Sequence, residues 1–452
     1  MRKKILFVQA WLGREQRFYP FPIGLAAVAA RLVGKHDVKG FDPNVVADPM
    51  GELARLVAEF KPDIVGLSLR NIDSTNYFDP YLFFPPFAET VRTVRRHAPA
   101  ATLVAGGSGY SLFPEEIMRR LPEIDLGLYL EGDIRLEQLL CNLDDPAAVP
   151  GIYYRRDGVP VFSGASGHDP FCDDWPFPAW DIFDLEPYKR IPYSMGVETK
   201  RGCAYRCVYC CYYILNGRRY RLKSPDRVVA EIKELAKRGF KEIHFTDSVF
   251  NVPTPHAMAI LGRMRDEVPG MRWNAYLSPE GITDEFVELS LAMGLSVFGC
   301  SPDTYGDAAL AAMGKNMGVA DIERAVEVIR RHPPAEFGAN FFVNGPTYTY
   351  GTLFAILRFG LWAKLRLGRQ YSLLRLIKAN YIRIEPGTRI EAVAREEGVI
   401  GPDTEMLPET LDDFRKTFYI NKHLRAFNAV YMPLKDLVRR LHVLLFRRGK
   451  SV

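Results

Sequence analysis

Along the first 140 residues, short apolar runs alternate with segments whose apolar positions recur every three or four residues. KKILFVQA has the pattern of a strand, GLAAVAARLVG that of a helix closing at Gly34, and VKGFDP that of a short strand. MGELARLVAEF is amphipathic, DIVGLSLR is apolar on both sides, FAETVRTVRRHAP and PEEIMRRLP are helical, and ATLVAGG and LGLYLEG are strand-like. Strands apolar on both faces and separated by helices predict a parallel sheet covered on both sides. Such sheets bind ligands at the carboxyl ends of their strands. The loops there are RNIDSTN (70–76), GGSGYS (106–111) and EGD (131–133), rich in residues that bring backbone amides close to a ligand.

The pattern changes over 151–195. GIYYRRDGVPVFSG predicts a hairpin turning at Asp157-Gly158. FCDDWPFPAWDIFDLEPYKRIPY has no sustained period and predicts an ordered, proline- and aromatic-rich linker. From 196 the alternation resumes. VETKRG, KEIHFTD, MRWNAYLS, SVFGC, FGANFFVNG and NYIRIEPG are strands, and SPDRVVAEIKELAKRGF and AMAILGRMRDEV are helices. Parallel strands returning this often predict a full or partial barrel with its chemistry on the loops after the strands. The tail from 410 is helical and basic, with Leu434, Leu437, Leu441 and Leu444 on one face and Arg439, Arg440, Arg447 and Arg448 around it. It is either a helix docked on the barrel, or a membrane-surface helix or substrate lid. The expected organisation is α/β, with domains at 1–150 and 196–400, a linker at 151–195 and a helical region at 401–452.

Composition narrows the class. The chain has 452 residues, enough for two or three domains, and its 48% hydrophobic and 25% charged residues match a globular protein. A net charge of +5 is too mild for a nucleic-acid binder. The opening MRKKILFVQAWLG is interrupted by Gln9 and runs into GREQR, which fits a first strand better than a secretion signal. No run of about eighteen apolar residues predicts a spanning helix. Four of the seven cysteines fall within GCAYRCVYCC, as Cys203, Cys207, Cys210 and Cys211. That crowding points to a metal in a reducing, cytoplasmic setting rather than to disulfides. Zinc favours two separated ligand pairs, and no second C-x-x-C or H-x-x-x-H accompanies this cluster. Three thiolates on one loop suit an iron–sulfur cube with one open iron.

Cys203-x-x-x-Cys207-x-Tyr209-Cys210 resembles the signature of the radical S-adenosylmethionine (radical SAM) superfamily. The resemblance implies a [4Fe–4S] cluster on Cys203, Cys207 and Cys210, with SAM on the open iron. Cys211 falls outside the signature and is either structural or near the substrate. HFTDSVFN (244–251) resembles the segment that meets SAM, which puts Tyr209, Thr246, Asp247 and Ser248 at that site. FGCSPDT (298–304) offers Asp303 where many relatives carry Glu, and Ile384, Glu385 and Pro386 match the strand bordering adenine. A parallel-sheet domain, a linker and such a barrel, in that order, look like the cobalamin-binding class of the family. The fold implied is a Rossmann-like cobalamin-binding domain, then a partial (β/α) TIM-type barrel, then a helical carboxyl-terminal region. The loops similar to that class place cobalamin against Arg70, Asn71, Asp73, Ser74, Gly106, Gly107, Gly109, Ser111, Glu131 and Gly132. The D-x-H-x-x-G motif is absent, so no histidine is expected below cobalt. Arg70 either faces the metal at a distance or makes a salt bridge at the strand end.

The class implies an enzyme. SAM cleavage would give a deoxyadenosyl radical, and methylcobalamin would deliver a methyl group to an unactivated carbon of a small molecule. Related architectures perform cyclisation or ring rearrangement, which is the alternative. A methylthiotransferase would need three more cysteines in residues 1–140, which contain none. A non-catalytic corrinoid carrier would not need the cysteine triad. No catalytic side chain is singled out. The implied partners are an electron donor such as flavodoxin or ferredoxin and a hydrophobic or aromatic small-molecule substrate, without nucleic acid. The stretch 351–380, apolar and basic together like the tail, points either to a hydrophobic or anionic substrate, such as a lipid, tetrapyrrole or aromatic intermediate, or to a helical hairpin packed on the barrel; a peripheral membrane contact is the alternative for the tail.

Overall fold

The computed structural model describes residues 2–13, 19–171, 173–373 and 380–447, with side chains to 437. Cys172, Arg448 and the side chains of Arg439, Arg440, Leu441, Leu444 and Arg447 lie outside the described residues.

The first sheet has seven strands: β1 (Lys4–Gln9), β2 (Asp37–Phe41), β3 (Ile64–Ser68), β4 (Thr102–Gly106), β5 (Leu126–Leu128), β6 (Ile152–Arg156) and β7 (Val159–Phe162). Their order is β2-β1-β3-β4-β5-β6-β7. The first five are parallel, and β6 and β7 add antiparallel as the expected hairpin. Asp157 and Gly158 both take positive φ at its tip, as a two-residue turn of that twist requires. Alternation sends successive β1 side chains to opposite faces. Leu6 and Val8 meet Leu53, Val57, Phe87 and Val91 of the helices Pro49–Phe60 and Phe84–His97. Ile5 and Phe7 join a larger core that runs without a break into the second half of the chain.

That half is an open parallel array. Strand β8 (Gly196–Val197) leads to β9 (Lys200–Arg201), which pairs antiparallel with β10 (Arg221–Leu222). Strand β11 (Glu242–Phe245) lies parallel between β8 and β12 (Arg272–Ala275). A single parallel bridge, Leu277 to Cys300, connects β12 with β13 (Val297–Asp303), which pairs with β14 (Glu336–Phe341). The partial barrel ends at β15 (Ile382–Arg383), just after the bridge Phe342 to Asn380. Helices Pro225–Lys237, Thr254–Glu267 and Val319–Arg331 cover the outside. Among the described residues no helix is long and apolar enough to cross a membrane.

Two features differ from the sequence pattern. VETKRG forms two short strands around a turn rather than one strand, because Asp247 accepts from Thr199 N, Thr199 Oγ1 and Lys200 N and folds the backbone there. The region after 401 is not wholly helical. Strand β16 (Phe418–Tyr419) pairs antiparallel with β15, and Leu407 is buried in the core of the first domain. Helix Arg425–Arg447 follows, with Pro433 inside it.

Arginines of the barrel grip carboxylates of the first domain. Arg201 donates Nη1 to Asp133 Oδ2 at 2.7 Å and Nη2 to Oδ1 at 3.1 Å, and both residues are buried. Arg221 donates to Glu131 (2.9 Å from Nη1), and Arg383 donates Nε to Asp73 at 3.0 Å. Burial alone would raise the Asp133 carboxyl, but the Arg201 charge and hydrogen bonds outweigh it and hold the group below its usual range. Removing one partner strands the other. Arg201→Gln is expected to cost about 3–5 kcal/mol in urea unfolding, and Asp133→Asn in that background to recover part of it. With its folded pKa below the unfolded ~3.9, Asp133 contributes stability at neutral pH that is lost as pH falls through the lowered value. The difference between Asp133→Asn and the unaltered protein should therefore shrink below about pH 4.

Candidate functional site

The cysteine loop is fixed from three sides. Cys203 N donates to Gly217 O at 3.0 Å, Val208 N to Met313 O at 3.0 Å, and Ile390 N to Val208 O at 2.9 Å. Gly314 presses on the loop from behind. A Cβ there would lie 2.1 Å from Arg206 O, and its φ of +71° excludes most side chains. Cys203 and Cys207 are buried with Tyr205, and Tyr209, Cys210 and Val249 pack around them. Burial pushes the Cys207 and Cys210 thiols above their ordinary range, and Cys211 up to about 12. Among the described residues no three Cys, His, Asp or Glu side chains converge on one ion-sized point. Three thiols on one braced loop are a donor set that suits an iron–sulfur cluster.

Tyr209 donates its hydroxyl to Asp303 Oδ2 at 2.5 Å, and Lys315 bonds the same carboxylate while donating to Ser301 O at 3.0 Å. Asp303 is buried with φ +68°, and Tyr348 holds its carbonyl at 2.9 Å. The Asp303 carboxylate is thus partnered inside the protein. So is that of Asp247, which bonds Lys200 Nζ at 3.2 Å as well as the turn at Thr199. Ser248 donates to Gly202 O at 3.4 Å, and Thr246 sits half-buried at the end of β11. Ile384 is buried, and Pro386 is half-buried beside it.

The loops of the first sheet face this region. Leu69 O receives Gly109 N at 2.9 Å and Tyr110 N at 3.2 Å, which draws the 106–111 loop against 69–71. A Cβ on Gly107 would lie 2.6 Å from Leu69 O, and one on Gly109 3.0 Å from the Asn71 backbone. Only glycine permits so close a cradle. Arg70 and Asn71 stay exposed on it, Ser74 and Gly106 are half-buried, and Gly132 is buried. Ser111 Oγ accepts from Leu130 N at 2.9 Å. Asp73 and Glu131 spend their carboxylates on Arg383 and Arg221, so these two residues position the loops rather than offer free oxygens.

The two halves meet where helix Ser108–Leu112 touches helix Tyr212–Asn216, directly after the cysteines. The Arg70 charge acts on both Tyr212 and His244 across this seam. Burial and then Arg70 hold the His244 imidazole below its usual range against the hydrogen bond that its Nδ1 donates to Asn274 Oδ1. Tyr276 stands edge-on to His244 at 5.7 Å. Glu385 is buried with Oε2 unpartnered, and its charge acts on Cys211. Burial pushes Glu385 up to about 7; Arg383 opposes the rise and Asp73 adds to it. Tyr276, Lys315 and Gly314 carry no motif and were not expected from the sequence, and His244, at the head of the HFTDSVFN segment, was not singled out within it. Trp273 is core, packed on Phe245 and Phe250. A cleft of about 330 Å³ at Arg95, Thr102 and Asp125 opens at the amino ends of β4 and β5, away from these loops.

Fold and site define a class: a parallel sheet whose glycine-lined loops close over the three-cysteine loop of a partial barrel. Comparison with known proteins agrees. Residues 197–360 match the radical SAM superfamily model and residues 12–140 the B12 binding domain model. The two matches put a B12 binding domain ahead of a radical SAM domain in this one chain. It is 28% identical over 260 residues to an uncharacterised methyltransferase of Pyrococcus horikoshii, covering 56% of this chain and 54% of that protein. It is 24% identical over 344 residues to a tryptophan 2-C-methyltransferase of Streptomyces laurentii, covering 60% and 56%. The chain therefore spans about half the length of the curated relatives it matches. The solved structure of the radical SAM methyltransferase TsrM from Kitasatospora setae, with cobalamin and a [4Fe–4S] cluster bound, superposes with a TM-score of 0.78 at 21% identity. That match covers 97% of this chain and 91% of the other, which establishes the shared fold.

The Glu385 carboxyl gives a measurable signature. Its folded pKa of about 7 lies above the unfolded ~4.3, so the native state binds the extra proton. Its contribution is full below pH 4 and is lost as pH rises through 7. Glu385→Gln should raise stability at pH 8 by about 1–3 kcal/mol relative to its effect at pH 4, measured by urea unfolding at both values.

Proposed function

We propose that the chain is a cobalamin-dependent radical SAM methyltransferase that moves a methyl group from SAM to an unactivated carbon of a small-molecule substrate. The observation that carries this reading is the contact of the glycine cradle at Ser108–Leu112 with the helix that follows the cysteine triad. One seam then serves two cofactors. The names of the relatives, methyltransferases in both cases, support it.

Cys203, Cys207 and Cys210 hold the cluster, and the backbone cradle of Leu69–Asn71 and Gly106–Gly109 holds cobalamin. When bound, the cluster supplies the electron that cleaves SAM, and cobalamin carries the methyl group. The protein's own part is positional. Asp303, tied to Tyr209 and Lys315, keeps the aromatic ring before Cys210 against the barrel wall. Asp247 shapes the turn leading into the cysteine loop, so Thr246 and Ser248 meet SAM at the end of β11, and Ile384 and Pro386 border its adenine. Asp73, Glu131 and Gly132 set the cobalamin loops against the barrel. Arg70, exposed on the cradle, would lie beside bound cobalamin, and none of the loops 70–76, 106–111 and 131–133 contains a histidine to offer its cobalt. Asn71, Ser74 and Ser111 line the same loops. Glu385 holds a proton on its carboxyl below neutral pH and releases it above, beside Cys211. Electrons come from a donor such as flavodoxin or ferredoxin, in a cytoplasmic setting.

Anaerobic reconstitution with iron, sulfide and hydroxocobalamin, followed by desalting and metal assay, tests the reading. The expected result is about four irons and one cobalt per chain, with a spectrum free of histidine ligation. Cys203→Ala or Cys207→Ala should remove the iron and keep the cobalt, whereas Cys211→Ala should keep both. Methyl-labelled SAM should pass its label to the bound cobalamin. Iron without cobalt, or cobalamin that never takes the label, would sink methyl transfer.

A further inference from the structure

Helix Tyr350–Leu367 is apolar on two opposite faces. Ile356, Phe359, Gly360, Ala363 and Leu367 are buried against the barrel. Tyr350, Phe354, Leu357, Leu361 and Leu365 are 55%, 67%, 50%, 50% and 86% exposed. Their spacing of four, three, four and four residues lines them up along the outer face as a stripe roughly 22 Å long. A helix apolar all round is normally covered all round, and a continuous exposed stripe marks a surface that meets something.

Charge decides what it meets. From Phe337 to Ile384 the chain contains no Asp or Glu, while Arg358, Lys364, Arg366, Arg369, Arg375 and Lys378 fall within it, besides Arg383, which is buried against Asp73. Arg358, Arg366 and Arg369 are exposed around the stripe. Arg366 shares Glu327 of the neighbouring helix at 3.5 Å, and Lys364 reaches Gly368 O at 2.6 Å at the helix end. A second copy docking helix to helix would set these cations against each other with no carboxylate from either helix between them. An anionic lipid surface complements both features, taking the apolar stripe into its acyl boundary and the guanidinium groups onto its phosphates. Helix Arg425–Arg447 adds an exposed row, Val430, Leu434 and Leu437, and its Phe427 and Tyr431 pack on the same small cluster as Leu353.

We propose that the outer face of Tyr350–Leu367 docks the protein on an anionic bilayer, with the helix lying in the membrane plane. This does not rest on the reaction proposed above. The full chain is sedimented with vesicles of phosphatidylcholine alone and of phosphatidylcholine with phosphatidylglycerol. The expected result is strong binding to the anionic vesicles, weakened by salt, and little to the neutral ones. Leu361→Asp with Leu365→Asp should cut that binding at least tenfold with an unchanged melting midpoint, because both side chains are exposed. Arg358→Ala with Arg369→Ala should weaken it a few-fold and leave the stripe intact. Absence of binding by the unaltered protein, equal binding to neutral vesicles, or undiminished binding by the leucine variant overturns the proposal. So does a dimer on size-exclusion chromatography that the leucine variant turns into monomer, which would assign the stripe to a second copy.

Discussion

Three guanidinium–carboxylate pairs set the relation of the two domains: Arg201 with Asp133 and Arg383 with Asp73, both buried, and the half-buried Arg221 with Glu131. Each carboxylate lies on a loop at the carboxyl end of a first-domain strand, and each arginine lies in or beside a barrel strand. Taking such charges out of water is costly, and apolar residues of the same shape would often be as stable. What an apolar contact lacks is direction. The fork of Arg201 accepts only one orientation of Asp133, so the pair fixes where the loop stands as well as that it is buried. Since these are the loops that cradle the first domain's ligand, their register against the cysteine loop follows from the pairs.

The same economy of charge runs through the site. Lys200 neutralises Asp247, and Lys315 neutralises Asp303, each pair buried. Left over at the seam are groups that burial drives toward neutrality: His244 below its usual range, Glu385 above its own, and the Tyr212 hydroxyl raised. The charge that stays exposed there is that of Arg70, which acts on both Tyr212 and His244.

Most of the architecture was legible because strands and helices leave a local period. The β-α alternation, the Asp157-Gly158 turn and the cysteine spacing each occupy a window of a few residues. The positions of the glycine loops at the strand ends followed from the parallel topology. What was not legible depends on distant partners. Nothing near Asp73 signals Arg383, more than three hundred positions away, and a carboxylate in a ligand loop looks the same whether it meets a ligand or an arginine. Lys315 and Gly314 sit in AAMGKNMG, which has no motif, yet one completes the Tyr209–Asp303 group and the other backs the cysteine loop. The tail looked purely helical because Phe418 and Tyr419 are too few to show a period, and their strand exists only through β15.

Three thiolates on one loop suit an iron–sulfur cluster, and the lack of a second ligand pair disfavours zinc; both readings come from the spacing of Cys203, Cys207 and Cys210. What the structure adds is how that loop is held. Cys203 N donates to Gly217 O, Val208 N to Met313 O and Ile390 N to Val208 O, and Gly314 packs against Arg206 O, so the loop takes its shape from the backbone around it. The constraint that makes the site is therefore not the cysteines but the backbone packed behind them.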